Sequence, residues 1–196
     1  MIRSFYRGFC IYSAVAAVVL ASSCVGPQTG QVSWSSQHAN FRQTEGWKKK
    51  VFLNPPIYNQ LTTERSAVIV SLADQRGYLL LDGQHVAMDF PVSSGKKDFR
   101  TPTGSYKVLQ MKEEYASNLY GKWVDIDSGK TVDRDADSRD PAPEGAKFVG
   151  ASMPNWMRLT NSGVGLHIGY VPSYPASHGC IRVVRSAMNK LFPVSK

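Results

Sequence analysis

From residue 66 onward the sequence alternates short apolar runs with Gly, Pro and Asp-Gly breaks, and this pattern constrains the fold more than any other feature. Short runs rich in Val, Ile, Leu, Tyr and Phe are typical of β-strands. Asp82-Gly83 separates two such runs, at 77–81 and 85–90. A tight hairpin turn needs positive φ angles, which glycine adopts without strain. The pattern therefore predicts a mostly β domain containing this hairpin.

The rest of the domain follows the same pattern. Further strands are predicted at 105–111, 147–151, 156–160, 165–168 and 181–184. Only residues 185–192 predict a helix, because their apolar side chains recur at helical spacing. A domain of about 130 residues is long enough to bury one core and too short for two. We therefore expect one folded domain over residues 63–196, ending in a short helix.

Residues 1–23 have the layout of a secretory signal peptide, with two arginines before the apolar run 9–20 and small residues after it. The run is shorter than the ~20 residues that span a bilayer, which favours a signal peptide over the alternative of a permanent membrane anchor. We therefore expect export to the periplasm or cell envelope. Cys24 follows Leu-Ala-Ser-Ser, which resembles a bacterial lipobox except that alanine stands where leucine is usual. Either Cys24 is lipidated and anchors the protein to a membrane, or the signal is cleaved nearby without lipid.

Residues 24–62 show no sustained apolar period, and we interpret them as a flexible tether. Within this span, Trp47-Lys48-Lys49-Lys50 is followed by Asn54-Pro55-Pro56. This part either continues the tether or lies across the surface of the domain.

Cysteine usage singles out Cys180. Of the three cysteines, Cys10 lies in the signal and Cys24 at its processing site, which leaves Cys180 alone in the folded domain. Its context is Ser177-His178-Gly179-Cys180-Ile181-Arg182, and His167 precedes it by a short loop. A thiol is strongly nucleophilic only as the thiolate, and histidine takes its proton near neutral pH. The flanking histidine and glycine favour a nucleophile over an inert buried thiol.

These residues resemble the signature of the YkuD-type L,D-transpeptidases, a histidine followed by a loop and then [Ser/Thr]-His-Gly-Cys. The similarity extends upstream in the family's order, through 67–72, 74–79, 90–95 and the Pro-Thr-Gly segment within 101–106. It covers the chain from about residue 66 to its last residue. The resemblance implies a β-sandwich or barrel with a short C-terminal helix, and cysteine-dependent acyl transfer.

The resemblance also implies roles for individual residues. Cys180 matches the nucleophile and His167 its proton acceptor. His178 and Gly179 match the interior of the motif, which implies backbone N–H donors to an oxyanion and a side chain that shapes the pocket. Ser177 matches the Ser/Thr position, where its hydroxyl would fix the turn.

Three further residues are candidates for substrate binding. The charge of Arg182 suits a substrate carboxylate or the nearby thiolate, and the alternative is a structural ion pair. Tyr170 and Tyr174, in the compact loop before the cysteine, either line the cleft and pack on the peptide or only cover the core. His38 and His85 match nothing in the motif and are interpreted as ordinary surface or sheet histidines.

The polar span 113–144 interrupts the strand pattern and predicts an insertion beside the active site. Its acids at 133, 135, 137 and 144 partly fit a calcium-loop template, but Ser138 stands where the template needs glycine. We therefore favour a solvated acidic loop and expect no metal. No zinc spacing or P-loop occurs in the sequence.

The resemblance implies two-step acyl transfer on peptidoglycan peptide stems, without a cofactor. Cys180 attacks the tetrapeptide stem, D-alanine leaves, and an acceptor resolves the thioester. An amine of another stem gives a direct crosslink, an amine of an envelope lipoprotein gives an anchored protein, and water gives L,D-carboxypeptidase activity. The sequence does not separate these outcomes.

Two rival functions remain, a non-catalytic wall-binding module and a cysteine peptidase for ordinary L-peptides. The intact motif argues against the first, and the Pro-Thr-Gly segment argues against the second. The formal net charge of +8 fits an anionic envelope partner, while export argues against nucleic acid as the partner.

Overall fold

A computed structural model describes residues 18–21, 32 and 35–195. Cys24 and most of the predicted signal peptide lie outside these residues. Within them, no helix has both the length and the apolar character that a bilayer crossing requires. Export and lipidation therefore stay predictions from the sequence.

Twelve strands and three α-helices form the described part of the chain. The strands are β1 (Val18–Ala21), β2 (Phe52–Leu53), β3 (Ser66–Ser71), β4 (Arg76–Leu81), β5 (His85–Ser93), β6 (Gln110–Lys112), β7 (Ala116–Asp125), β8 (Thr131–Asp137), β9 (Ala146–Ser152), β10 (Trp156–Arg158), β11 (Gly165–Ile168) and β12 (Ile181–Val183). The helices are α1 (Ser36–Gln43), α2 (Pro55–Tyr58) and α3 (Arg185–Leu191). The predicted mostly β fold with a short C-terminal helix is confirmed.

The hairpin between β4 and β5 forms where the sequence predicts it. Asp82 and Gly83 have φ angles of 52° and 71°, the positive values that a primed turn requires. The N–H of Gln84 donates to the carbonyl of Leu81 across this turn, at 3.1 Å. By contrast, the strand predicted at 105–111 forms only as β6, at its far end.

Nine of the described strands form one sheet in the order β1-β3-β4-β5-β12-β11-β10-β6, with β2 also paired to β5. Its named pairs are antiparallel except β11 and β12, which run parallel. The remaining strands form a smaller sheet in the order β8-β7-β9. The predicted polar insertion is therefore not a solvated loop, because two of its segments are the strands β7 and β8.

One face of β10, β11 and β12 supplies part of the core. Met157, Leu166, Ile168, Ile181 and Val183 belong to one buried apolar cluster, together with the buried face of α3. Successive side chains of a strand point to opposite faces of the sheet. The residues between these apolar positions therefore lie on the other face, away from the core.

Residues 35–62 differ from the predicted tether. The Ser35 side chain caps α1 by accepting a hydrogen bond from the N–H of His38, at 3.2 Å. The His38 side chain is buried, and its Nε2 lies 2.7 Å from Oδ2 of Asp89 on β5. The interpretation of His38 as a surface or sheet histidine is therefore wrong. His85, at the start of β5, is exposed.

A buried arginine fixes the same segment. Arg76 on β4 donates from Nε to Oδ1 of Asp89 at 2.7 Å, and its other nitrogens donate to the carbonyls of Lys48 and Lys50 at 2.9 and 3.1 Å. The segment 47–50 thus lies across the domain surface, one of the two alternatives that the sequence left open. Apolar periodicity gave no sign of this, because buried polar groups hold the segment in place.

We expect Asp89→Ala to lower the free energy of unfolding by about 3 kcal/mol, because it leaves the buried Arg76 side chain without its carboxylate. Urea unfolding followed by circular dichroism measures this change. Arg65→Gln is the matched control, since it breaks the exposed Arg65–Asp82 pair without changing the residues of the turn and should leave the midpoint unchanged. Equal midpoints for both variants would contradict a stabilising role for the buried cluster.

Candidate active site

Two residues of the predicted site lie on neighbouring strands, and a third directly precedes one of these strands. His167 is on β11 and pairs in register with Arg182 on β12, and Cys180 directly precedes β12. Because side chains alternate along a strand, Cys180 and Arg182 share a face. Leu166 and Ile181, the preceding pair in the ladder, point into the core. The parallel pairing therefore brings the histidine and the cysteine to the face away from the core.

These residues line a cavity of about 490 Å³. The residues of the predicted site on its wall are His167, Tyr170, Ser177, His178, Cys180 and Arg182. Gly179 and Tyr174 are not part of this wall. The Tyr170 and Tyr174 side chains are 78% and 61% exposed, so neither covers the core. The cavity therefore joins the candidate nucleophile, the candidate base and one of the two tyrosines.

The Cys180 thiol lies in a largely buried environment. Its Sγ is 3.7 Å from the carbonyl oxygen of Gly163. Burial raises the pKa of the thiol, while the nearby N–H of Gly165 and the charge of Arg182 act in the opposite direction. Because burial is the largest of these effects, the resting side chain is a thiol at neutral pH.

His167 is also neutral at rest. Its ring is 6% exposed, and burial lowers its pKa to about 4, with a smaller effect of the same sign from the Arg182 charge. Nδ1 lies 2.9 Å from the carbonyl oxygen of Ile168. A carbonyl only accepts hydrogen bonds, so Nδ1 carries the proton and Nε2 keeps the lone pair that a base needs. This backbone carbonyl could not be identified from the sequence.

The turn before Cys180 is held by the Ser177 hydroxyl. Its Oγ accepts a hydrogen bond from the N–H of Gly179 at 3.1 Å and donates to the carbonyl of Cys180. Gly179 has a φ of 114°, a conformation that other residues rarely adopt. The structure therefore differs from the expectation that Gly179 supplies an oxyanion donor, because its N–H is already paired.

The His178 ring joins this turn to the smaller sheet. It stacks on Tyr120 of β7, with centroids 4.4 Å apart, and meets Phe99 edge-on at 4.5 Å. Its Nε2 lies 3.5 Å from Oδ1 of Asp135 on β8. Burial, followed by the charge of Lys96, lowers the pKa of His178. The side chain therefore packs as an aromatic wall of the cavity.

The smaller sheet borders the cavity through β7. Tyr115, just before β7, and Tyr120 both line it, and the sequence predictions missed both residues. The Tyr115 ring stacks on Trp156, with centroids 5.1 Å apart. The acids at 133, 135 and 137 lie on β8 rather than in a calcium-type loop, and Asp137 pairs with Arg139. No group of three or more His, Cys, Asp or Glu residues suited to a metal occurs among the residues described.

Two arginines give the cavity a positive wall. Arg158, at the end of β10, lines it together with Arg182, and the sequence predictions missed Arg158. Over residues 35–195 neither arginine forms a salt bridge. Arginine binds carboxylates through two parallel hydrogen bonds. Both side chains are therefore available to an anionic ligand.

Comparison with known proteins supports the resemblance noted in the sequence. Residues 65–196 match the family YkuD, described as the L,D-transpeptidase catalytic domain. A search of the curated proteins found no match.

Solved structures similar to the chain include three L,D-transpeptidases. The protein from Stackebrandtia nassauensis is 20% identical, with a TM-score of 0.44, over 64% of this chain and 48% of that one. The protein from Mycobacterium smegmatis is 16% identical, with a TM-score of 0.44, over 65% of this chain and 61% of that one. The protein from Enterococcus faecium is 25% identical, with a TM-score of 0.44, over 64% of this chain and 44% of that one. The chain thus spans less than two thirds of each of these structures.

We expect ultraviolet titration to show no thiolate from Cys180 at pH 7. Because burial raises the pKa of this thiol, the thiolate absorbance should grow only above the normal range for cysteine. The measurement is the difference in absorbance between wild type and Cys180→Ser, which removes the contribution of the other cysteines. A thiolate step below pH 7 would contradict a neutral resting pair.

Proposed function

Because the chain belongs to the YkuD family of L,D-transpeptidase catalytic domains, we propose that it transfers acyl groups between peptidoglycan peptide stems. The observation that carries the proposal is one cavity lined by Cys180, His167 and two arginines. The predicted signal peptide would place such an enzyme in the periplasm or cell envelope, where its substrate is found.

In the first step the Cys180 sulfur attacks the carbonyl of the diamino acid at the third position of a tetrapeptide stem. The neutral His167 accepts the thiol proton at Nε2 as the C–S bond forms, and then gives it to the departing amine of D-alanine. The Ile168 carbonyl stabilises the transient imidazolium through Nδ1–H. Because the pKa of the thiol is raised and that of the imidazole lowered, the proton moves with the attack rather than before it.

In the second step an acceptor amine attacks the thioester. His167 takes a proton from the amine and returns one to the departing Cys180 thiolate, so the enzyme regains its resting state. The side-chain amine of another stem gives a direct crosslink, and an amine of an envelope lipoprotein gives an anchored protein. Water in the same place gives L,D-carboxypeptidase activity. All three acceptors use the same acyl-enzyme.

Charge and shape support an anionic peptide as the donor substrate. Arg158 and Arg182 line the cavity and can pair with the carboxylates of a peptide stem. Without these two arginines, the carboxylates would have no charged partner on the cavity wall. Tyr170 lines the cavity and is exposed enough to pack on the peptide. The neutral His178 ring, fixed by Tyr120 and Phe99, keeps the wall beside the cysteine rigid.

We expect Cys180→Ala to abolish release of D-alanine from disaccharide-tetrapeptide while the protein stays folded. His167→Ala should slow release by about 10²- to 10⁴-fold, the usual contribution of a general base. Chromatography with mass detection separates the products, and circular dichroism checks folding. Wild-type rates in either variant would rule out the proposed roles, and a folded but inert wild type would favour a wall-binding module.

We expect Arg158→Gln and Arg182→Gln each to raise KM for the tetrapeptide about tenfold, because each removes a charge-assisted hydrogen bond to a carboxylate. The matched control is Arg65→Gln, which removes an exposed arginine that pairs with Asp82. Steady-state rates against substrate concentration give KM. The same KM in all three variants would contradict carboxylate binding at this wall.

A further inference from the structure

We propose that Thr101 is a positioning residue for acyl transfer, whose hydroxyl orients the Gly179–Cys180 peptide so that the N–H of Cys180 faces the developing oxyanion. The inference rests on the proposed function, since an oxyanion forms only when the cysteine attacks a carbonyl. It assigns chemistry to a side chain outside the cavity wall.

The Thr101 hydroxyl has one donor and one acceptor contact, and both are with the backbone. Its Oγ1 accepts the N–H of Gly95 at 2.9 Å and lies 2.7 Å from the carbonyl oxygen of Gly179. An N–H group only donates, so the hydroxyl proton must be directed at Gly179. Thr101 is 7% exposed, which keeps water from competing for this bond. The orientation of the Gly179 carbonyl is therefore fixed.

The direction of the next N–H follows from the geometry of the peptide. In a trans peptide the C=O and N–H bonds point in opposite directions, and none of the described peptides is cis. With the Gly179 carbonyl turned toward Thr101, the N–H of Cys180 points away from Thr101. This N–H has no hydrogen bond to another described residue, whereas the N–H of Gly179 is taken by Ser177. Cys180 itself then supplies the donor beside its own sulfur.

Thr101 is in turn held by a rigid loop. Gly95 forms a parallel bridge with Ser177, in which Ser177 N–H donates to Ser94 at 3.0 Å and Lys96 N–H donates to Ser177 at 2.9 Å. A Cβ at Gly95 would lie 1.8 Å from the Phe99 carbonyl oxygen, so only glycine permits this approach.

A second buried side chain supports that loop. The Gln75 amide donates to the Ser94 hydroxyl and accepts the Ser94 N–H, each at 2.8 Å. Gln75 is 6% exposed. Positioning of this kind requires supporting residues that are themselves fixed by packing and hydrogen bonds. The chain of contacts from Gln75 through Ser94 and Ser177 meets that requirement.

Two reactions of the same sulfur separate positioning from a general loss of structure. Alkylation by iodoacetamide is a displacement that forms no oxyanion, whereas acylation by tetrapeptide or by a carbapenem does. In the full chain, peptide mass mapping follows alkylation at Cys180, and intact mass with D-alanine release follows acylation. The variants are Thr101→Val, which has the same shape without the hydroxyl, and Thr101→Ser, which keeps the hydroxyl.

We expect Thr101→Val to acylate about ten- to a hundredfold more slowly, with kcat reduced and KM little changed, because a donor used only in the transition state is misaligned. Its alkylation rate should stay within about twofold of wild type, since the thiol itself is unchanged. Thr101→Ser should restore acylation. The matched control Thr103→Val changes an exposed threonine of the same loop and should behave as wild type.

Three results would overturn the inference. Acylation at the wild-type rate in folded Thr101→Val would show that the hydroxyl does not position the donor. An equal loss of acylation and alkylation would assign Thr101 a purely structural role. Loss of folding in Thr101→Val and also in Thr101→Ala, a second variant without the hydroxyl, would lead to the same conclusion. A wild-type chain that is alkylated but never acylated would overturn the proposed function itself. Because this result is seen in the wild type, it is distinguishable from the first two results, which concern the Thr101 variants.

Discussion

The parallel pairing of β11 with β12 is the constraint on which the site depends. It places His167 opposite Arg182, and Cys180 directly before the first residue of β12. The neighbouring residues Leu166 and Ile181 are buried in the core, which fixes the register. A shift of one residue would turn the apolar side chains outward and the site inward. The energy that holds the core together therefore also holds the histidine and the cysteine on one face.

Burial of this face determines the charge states of its histidine and cysteine. Neither the thiol nor the imidazole is charged at rest, because burial disfavours both charged forms. In the mechanism that we propose, charge develops on these groups only when Cys180 attacks a carbonyl, and the fixed backbone dipoles around the sulfur would then stabilise it. In the same proposed mechanism, the Ile168 carbonyl, which already contacts Nδ1 of His167, would stabilise the imidazolium, and the N–H of Cys180 would stabilise the oxyanion. Arg158 and Arg182 carry the positive charge of the cavity wall, and an anionic peptide stem would contact them there.

Strands, hairpin and motif were predictable because each leaves a local signal. The Asp82-Gly83 turn and the apolar runs predict their elements directly, and the cysteine motif predicts the site residues through family resemblance. Polar contacts over long sequence distances leave no such signal. The bond between Thr101 and Gly179 spans 78 positions, and the contact of His38 with Asp89 spans 51. The strands β7 and β8 were missed because much of their surface is polar and exposed, and only residues such as Trp123 and Val124 are buried.

The central claim is that Cys180 carries the acyl group between donor and acceptor. Rapid acid quenching of the wild-type chain with tetrapeptide, followed by intact mass and peptide mapping, tests it most directly. The account predicts a transient adduct on the Cys180 peptide, with the mass of the stem less D-alanine, that decays as product forms. Product formation with no such adduct at any quench time, or an adduct on another residue, would contradict it.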